Sequence, residues 1–176
     1  MEKIPFPPIY IRYSGLFDFD AVYSTMIEWC KNEGYLWQED VYKHKVPTPA
    51  GAEQEWIWSA ENNLTSYFQY KIQILGHSWD LREVEVVKNG KKKTLISGRI
   101  ELKFVGTMVL DWQKKMDKNN FTKFLGKMYY RINRREIEGN YGDGLWYHLF
   151  NLHAAVKKAF DMQTKAHEYK RYLGEG

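Results

Sequence analysis

A long alternation of apolar and polar side chains near the middle of this chain sharply limits the folds it can adopt. Apolar residues occupy every second position from Phe68 to Ile74, and every even position from Thr94 to Trp112 is apolar, small or threonine. Side chains of a strand point to alternate faces of a sheet, so this period predicts two long strands that share one apolar face. The turn signal Lys88-Asn89-Gly90 joins them into an antiparallel ribbon over residues 66–112.

Glycines interrupt this ribbon and predict where it bends. Gly76 marks the predicted position in the first strand, and Gly98 or Gly106 marks it in the second. Glycine within a strand is typical of a bend or a bulge. We therefore expect a strongly curved antiparallel sheet whose apolar face is concave.

Shorter elements precede the ribbon. The prolines of residues 1–8 predict an extended arm, because proline and the residue before it resist helical dihedral angles. Alternating side chains predict further strands over residues 9–17, 35–46 and 53–60. One helix follows the first of these strands, with an apolar face at helical spacing that comprises Val22, Met26, Trp29 and Cys30.

Two amphipathic helices are predicted at the end of the chain, over residues 119–138 and 144–172. In the first of them apolar residues recur three and four positions apart, at Phe121, Phe124, Leu125, Met128, Tyr129 and Ile132. Helices segregated to the ends of an antiparallel sheet make an α+β domain. We expect a single α+β domain over residues 1–176, with about five to six strands and both terminal helices packed across the concave face.

The glycine-rich segment Gly139-Asn-Tyr-Gly142-Asp-Gly144 raises the question of a phosphate-binding loop. Such a loop follows a strand and opens a helix, whereas this segment follows a helix and lacks the Lys-Ser/Thr pair of a P-loop. We interpret it as a connection between helices. Gly139 then ends the first helix, and Asp143 caps the second.

The sequence offers no catalytic constellation. Its one cysteine, Cys30, lies on the core face of a helix, and His148 and His153 are five positions apart and do not share a helix face. We therefore expect no enzyme, no metal site and no cofactor. Without a signal peptide or an apolar run of about 20 residues, the expectation is a cytoplasmic protein.

Charge is distributed unevenly along the chain. Residues 1–80 carry 6 Lys/Arg and 11 Asp/Glu, and residues 81–176 carry 20 and 11, so the net charges are −5 and +9. Two basic clusters stand out: Lys91, Lys92 and Lys93 after the hairpin turn, and Arg131, Arg134 and Arg135 in the first terminal helix. Either the two halves form separate patches that meet a partner or another copy, or their charges pair on one surface.

Three functions compete at this point. The first is a non-enzymatic interaction or assembly protein that uses the acidic N-terminal half and the basic C-terminal half. The second is a binder of an apolar small molecule in a cavity between sheet and terminal helices. Its expected lining is Phe68, Tyr70, Phe104, Phe124, Trp146, Phe150 and His153. The third is a single-stranded nucleic-acid binder that uses the polar face of the ribbon. Its expected contacts are Tyr67, Lys71, Arg99 and Lys103.

Three stretches together carry a resemblance: residues 34–45 (GYLWQEDVYKHK), residues 79–90 (WDLREVEVVKNG), and residues 130–139 (YRINRREIEG) leading into Leu145-Trp-Tyr. They resemble small uncharacterised proteins of archaeal genomes of the DPANN group. The resemblance implies an intracellular archaeal protein of similar fold, and no site residue. The predicted architecture is also similar to the helix-grip fold of START-type proteins, which enclose apolar ligands. This chain differs in having one helix after the first strand and two at the end.

Overall fold

The computed structural model describes residues 2–48, 51–88, 91–117 and 119–162. Within these ranges the chain forms an α+β fold with one antiparallel sheet of six strands. The strands are β1 (Glu2–Pro5), β2 (Ile9–Phe17), β3 (Leu36–Thr48), β4 (Gly51–Asn63), β5 (Phe68–Lys88) and β6 (Lys91–Leu110). The predicted fold class is confirmed.

The sheet is ordered β1-β6-β5-β4-β3, and β2 also pairs with β6. Strand β1 pairs with residues 107–110 of β6, and β2 pairs with residues 96–104. The predicted arm therefore forms part of the sheet, because the carbonyls and amides of residues 2–5 lie beside an otherwise open edge of β6. Strand β3 forms the opposite edge.

Within the described ranges three helices accompany the sheet: α1 (Phe19–Asn32), α2 (Asn120–Ile137) and α3 (Asp143–Ala159). The last helix was predicted to reach residue 172, but it ends at Ala159, and residues 163–172 lie outside the described residues. Asp18 caps α1, since its carboxylate accepts a hydrogen bond of 3.0 Å from the backbone N–H of Ala21. A short 3₁₀ turn, Lys115–Asp117, precedes α2, and a five-residue π-helical segment, Glu138–Gly142, joins α2 to α3.

The long ribbon has the predicted alternation, and its bulge lies opposite Gly98, one of the predicted positions, but not at Gly76. Even-numbered residues of β6 such as Ile100, Leu102 and Phe104 are buried, as the pattern predicts. The register shift of β5 lies between Trp79 and Arg82, where Asp80 has a φ of 58°. The bulge therefore lies four residues beyond the predicted position at Gly76, and Gly98 of β6 lies opposite it. The predicted turn residues Asn89 and Gly90 lie outside the described residues.

The core lies on the apolar face of the sheet, beneath α1 and α3. Helix α3 contacts β2, β6 and α1, and it buries Leu145, Leu149, Leu152 and Val156. Helix α1 packs against β4 through aromatic contacts, because the Tyr23 and Trp58 rings lie 4.4 Å apart and nearly perpendicular. These two helices cover the apolar face without α2.

The glycine-rich segment connects α2 to α3 as predicted, but its backbone is helical, so the predicted caps at Gly139 and Asp143 are wrong. Ile137, Glu138, Gly142 and Asp143 all have right-handed helical dihedral angles, and α3 begins at Asp143 without a side-chain cap. The glycines instead permit close packing. A Cβ at Gly144 would lie 2.6 Å from the Tyr70 hydroxyl oxygen, so only glycine lets the helix approach β5 this closely.

Candidate interaction surface

One side of helix α2 rests on the body of the protein. Ile137 is only 3% exposed, and Tyr130 packs against the core cluster while its hydroxyl donates a 3.0 Å hydrogen bond to Glu138. An ideal Cβ at Gly126 would lie 3.4 Å from Cβ of Met116. At 100° per residue, Gly126, Tyr130 and Ile137 fall on one side of the helix.

The other side of α2 is apolar and faces solvent. Phe121, Phe124 and Ile132 are 69%, 61% and 70% exposed, and Leu125 and Met128 are also exposed. We call these five residues the α2 stripe. They occupy a sector of about 100° whose centre lies about 180° from the side that rests on the body. A helix normally turns such a stripe toward a core, so this orientation demands an explanation.

The expectation that both terminal helices cover the sheet is therefore wrong for α2. Phe124, expected beneath the sheet, belongs to the outward-facing stripe. The physical reason is that α1 and α3 already occupy the apolar face of the sheet. The period of a sequence shows that a helix has an apolar side, but it does not show what that side meets.

Basic side chains border the α2 stripe. Helix α2 carries five Lys/Arg and one acidic residue, Glu136. Arg131 and Lys127 follow one border of the stripe, Arg134 lies further toward the body, and Arg135 lies within the sector of the stripe near the C-terminal end. Arg134 donates a 2.8 Å hydrogen bond to Glu138, which holds the pKa of that carboxyl below its usual value. Arg131 and Arg135 are exposed and form no ion pair with another described residue.

The hairpin lysines are placed differently. Lys92 is exposed, Lys93 forms a 2.5 Å ion pair with Asp18, and the side chain of Lys91 lies outside the described residues. The Lys93 ammonium holds the pKa of Asp18 below its usual value. One lysine of this cluster therefore forms an ion pair that links β6 to the start of α1.

The charge split of the sequence does not produce two separate regions in the sheet. Strands from the two halves lie side by side, and ion pairs join them, such as Arg12 to Glu101 at 2.5 Å and Arg99 to Asp80 at 2.5 Å. The interpretation in which opposite charges pair on one surface holds for the sheet. The basic excess of α2 lies outside this pairing.

Residues predicted to line a cavity divide between core and surface. Phe68, Tyr70 and Phe104 are buried, and the Phe68 ring stacks on Tyr141 at 4.1 Å. Trp146 and Phe150 stack on each other at 5.3 Å, with Phe150 exposed. His153 lies beside Phe104, with its Nε2 3.3 Å from the carbonyl oxygen of Tyr10, and burial lowers its pKa.

A partly buried polar pair at the edge of the core was not predicted from the sequence. The Tyr35 hydroxyl and Nδ1 of His148 lie 3.1 Å apart, between α1 and α3. Burial raises the pKa of Tyr35, and it raises the pKa of the Cys30 thiol to about 11, so Cys30 stays protonated as a core residue. The pair satisfies two polar groups in an aromatic surrounding, and no spacing in the sequence relates positions 35 and 148.

A second unpredicted cluster lies on the outer face of the sheet. Glu53, Glu55 and His77 place one ligand-type atom each within 4.8 Å of one another. His77 Nε2 lies 2.7 Å from Glu53, and the Lys45 ammonium lies 2.9 Å from the same carboxylate. Lysine already neutralises these acids, which lowers the pKa of Glu53, so the cluster is an ion-pair network that a cation would have to displace.

The polar face of the ribbon carries the residues expected to bind single strands. Lys71 pairs with Glu61, Arg99 pairs with Asp80, and Lys103 lies over the Tyr10 ring at 5.8 Å. Tyr67 contacts Tyr129 of α2, with ring centroids 5.9 Å apart. Acidic partners therefore compensate two of the three cations on this face, which disfavours a polyanion there.

Comparison with known proteins leaves the surface to be interpreted from its own chemistry. No family model matches this chain, and no curated protein matches it significantly. Across the described ranges, every helix is too short or too polar to span a bilayer.

Proposed function

We propose that this chain is a non-enzymatic interaction protein that docks onto an acidic partner surface through helix α2. The observation that carries this proposal is the α2 stripe, five apolar side chains that face solvent beside a row of cations. Large exposed apolar patches with a polar rim are typical of interaction sites. The α+β body then serves as the scaffold that holds the helix with this side outward.

The proposal assigns the docking role to α2 and not to the hairpin lysines. Arg131 and Arg135 have no acidic partner among the described residues, whereas Lys93 is committed to Asp18. Cations beside an apolar stripe also select among partners, because only an acidic partner gains both apolar contacts and ion pairs.

The experiment tests whether the α2 stripe is free to bind a partner or is needed for the stability of the fold. We expect the double variant Phe124→Ser/Ile132→Ser to keep its free energy of unfolding within about 0.5 kcal/mol of the original, because exposed side chains contribute little to folding. Urea unfolding followed by circular dichroism gives this quantity. Binding of a fluorescent apolar dye to the folded protein should fall in the same variant.

Leu149→Ala provides the matched control, since Leu149 is an apolar helix residue that is fully buried. We expect it to lose about 2–5 kcal/mol. A loss of that size in Phe124→Ser/Ile132→Ser would contradict the proposal, because the stripe would then be covered within the chain itself.

A further inference from the structure

We infer that the partner surface is an anionic lipid bilayer, on which α2 lies as an interfacial helix. This inference rests on the proposed function and names the chemical class of the partner. An interfacial helix needs an apolar side, cations near that side and low mean hydropathy, and it lies in the plane of the membrane. Helix α2 has each of these properties, and its apolar side is outward in the folded chain.

The geometry suits a flat surface better than a groove. The stripe from Phe121 to Ile132 extends for about 17 Å along the helix. The opposite side is attached to the body through Tyr130 and Ile137, so the body lies away from whatever meets the stripe. A protein groove encloses an amphipathic helix from its flanks, whereas a bilayer requires only one accessible side.

The chemistry at the borders of the stripe fits lipid headgroups. Apolar side chains of an interfacial helix enter the boundary between headgroups and acyl chains by about 5–10 Å. At that depth Lys127 and Arg131 reach headgroup phosphates at one border, and guanidinium groups bind phosphate well. Tyr129 is exposed near the other border, and its amphipathic ring suits the interface.

Charge argues against a second copy of this chain as the occupant. A two-fold contact between α2 helices would bring two basic sets together across an interface with one acidic residue on each side. The 14 C-terminal residues, 163–176, also lack the required acidity. They contain Lys165, Lys170 and Arg171 against Glu168 and Glu175.

The test uses the full-length protein and vesicles of two compositions. One is phosphatidylcholine alone, and the other is phosphatidylcholine mixed with phosphatidylglycerol. We expect co-sedimentation with the anionic vesicles only, and weaker binding as salt rises because the cations become screened. Phe124→Ser/Ile132→Ser and, separately, Arg131→Glu/Arg135→Glu should each weaken binding by at least about tenfold.

Two control variants test whether the loss of binding depends on the position of the substituted residues in α2 or only on the kind of substitution. Leu36→Ser removes an apolar side chain that is 77% exposed on β3, and Lys3→Glu/Lys92→Glu makes the same change in net charge on exposed residues outside α2. Both should bind anionic vesicles as the original protein does. Equal losses in the controls and the α2 variants would overturn the inference, and so would equal binding to both vesicle compositions.

Failure of this inference differs from failure of the proposed function. If the original protein does not bind anionic vesicles at low salt, the lipid assignment is wrong even when the stripe is dispensable for stability. A dimer in native mass spectrometry that Phe124→Ser/Ile132→Ser converts to a monomer, without vesicle binding, would identify a second copy as the partner. A destabilised Phe124→Ser/Ile132→Ser protein would instead contradict the proposed function itself.

Discussion

Gly76 shows, for a single residue, how a glycine in one strand makes room for a large ring from the neighbouring strand. Trp56 of β4 lies directly opposite Gly76 of β5 in the sheet register. The Trp56 ring is buried and lies over the glycine, where a Cβ would overlap with its indole atoms. An aromatic ring over a glycine in the neighbouring strand covers backbone that would otherwise be exposed.

Adding one methyl group at this position should therefore destabilise the protein. We expect Gly76→Ala to lower the free energy of unfolding by about 2–3 kcal/mol, because overpacking forces Trp56 or the strand to move. Urea unfolding measures it, and the Trp56 environment is followed by near-ultraviolet circular dichroism.

Gly139→Ala is the matched control, since nothing lies within 4 Å of a Cβ built there and the segment is helical. That variant should be stabilised by about 0.5–1 kcal/mol. If both alanine variants change stability equally, the contact with Trp56 does not explain the choice of glycine.

Among the helices and strands, α3 ends in a left-handed turn whose key position is occupied by aspartate, which is unfavourable there. Asp161 has a φ of 59°, and its N–H donates to the carbonyl of Lys158 while Met162 N–H donates to Lys157. This is the Schellman pattern, in which glycine is the usual left-handed residue. Aspartate there is strained, and its charge lies beside the negative end of the helix dipole.

Replacing this residue should stabilise the helix. We expect Asp161→Gly to raise the free energy of unfolding by about 0.5–1 kcal/mol, measured by thermal and urea unfolding. Asp161→Ala separates the two causes, because it removes the charge and keeps the left-handed strain. Equal stabilisation by alanine and glycine would mean that the charge, and not the dihedral angle, causes the penalty.

The backbone of the segment between α2 and α3 differs from the one that the sequence predicted. The three glycines of residues 139–144 predicted a connection that ends one helix at Gly139 and caps the next at Asp143, since glycine weakens a helix by about 1 kcal/mol. In the fold the helical backbone continues through a π-helical segment, and Gly142 and Gly144 lie against Phe6 and Tyr70. Packing overrides propensity here, and a single sequence does not reveal which side chain lies opposite a glycine.

For the molecule as a whole, the proline-rich arm at the start of the chain closes one edge of the sheet. Residues 2–5 pair with residues 107–110 of β6, and Phe6 N–H donates a 2.9 Å hydrogen bond to the carbonyl of Gly106. The Phe6 ring meets Trp146 of α3 edge-on at 5.5 Å. The proline-rich arm therefore links the sheet edge to α3.

Removal of residues 1–6 should then destabilise the whole fold. We expect a loss of about 2 kcal/mol or more from the lost hydrogen bonds and the partly buried Phe6 ring, measured by urea unfolding. Lys3→Ala is the control that keeps the strand and changes one exposed side chain, and it should leave stability nearly unchanged. An equally stable truncated protein would mean that the first strand contributes nothing to the body.

Local sequence patterns were enough to predict the class of the fold and the buried side of most of its elements. Period two along residues 68–74 and 94–110 predicted the ribbon and its apolar face, and the spacing of Val22, Met26 and Trp29 predicted the buried side of α1. These patterns are local, because strand and helix geometry alone relate each residue to its near neighbours.

What each of these faces meets follows from the packing of the elements and not from their local patterns. Helix α3 covers the sheet and α2 turns an equally periodic apolar side to solvent, although both helices read alike in the sequence. The same holds for the Tyr35–His148 pair and the bulge at Asp80, which depend on partners far apart in the chain. Periodicity fixes the direction of a side chain relative to its own element, whereas its neighbours are fixed by how the elements compete for one apolar surface.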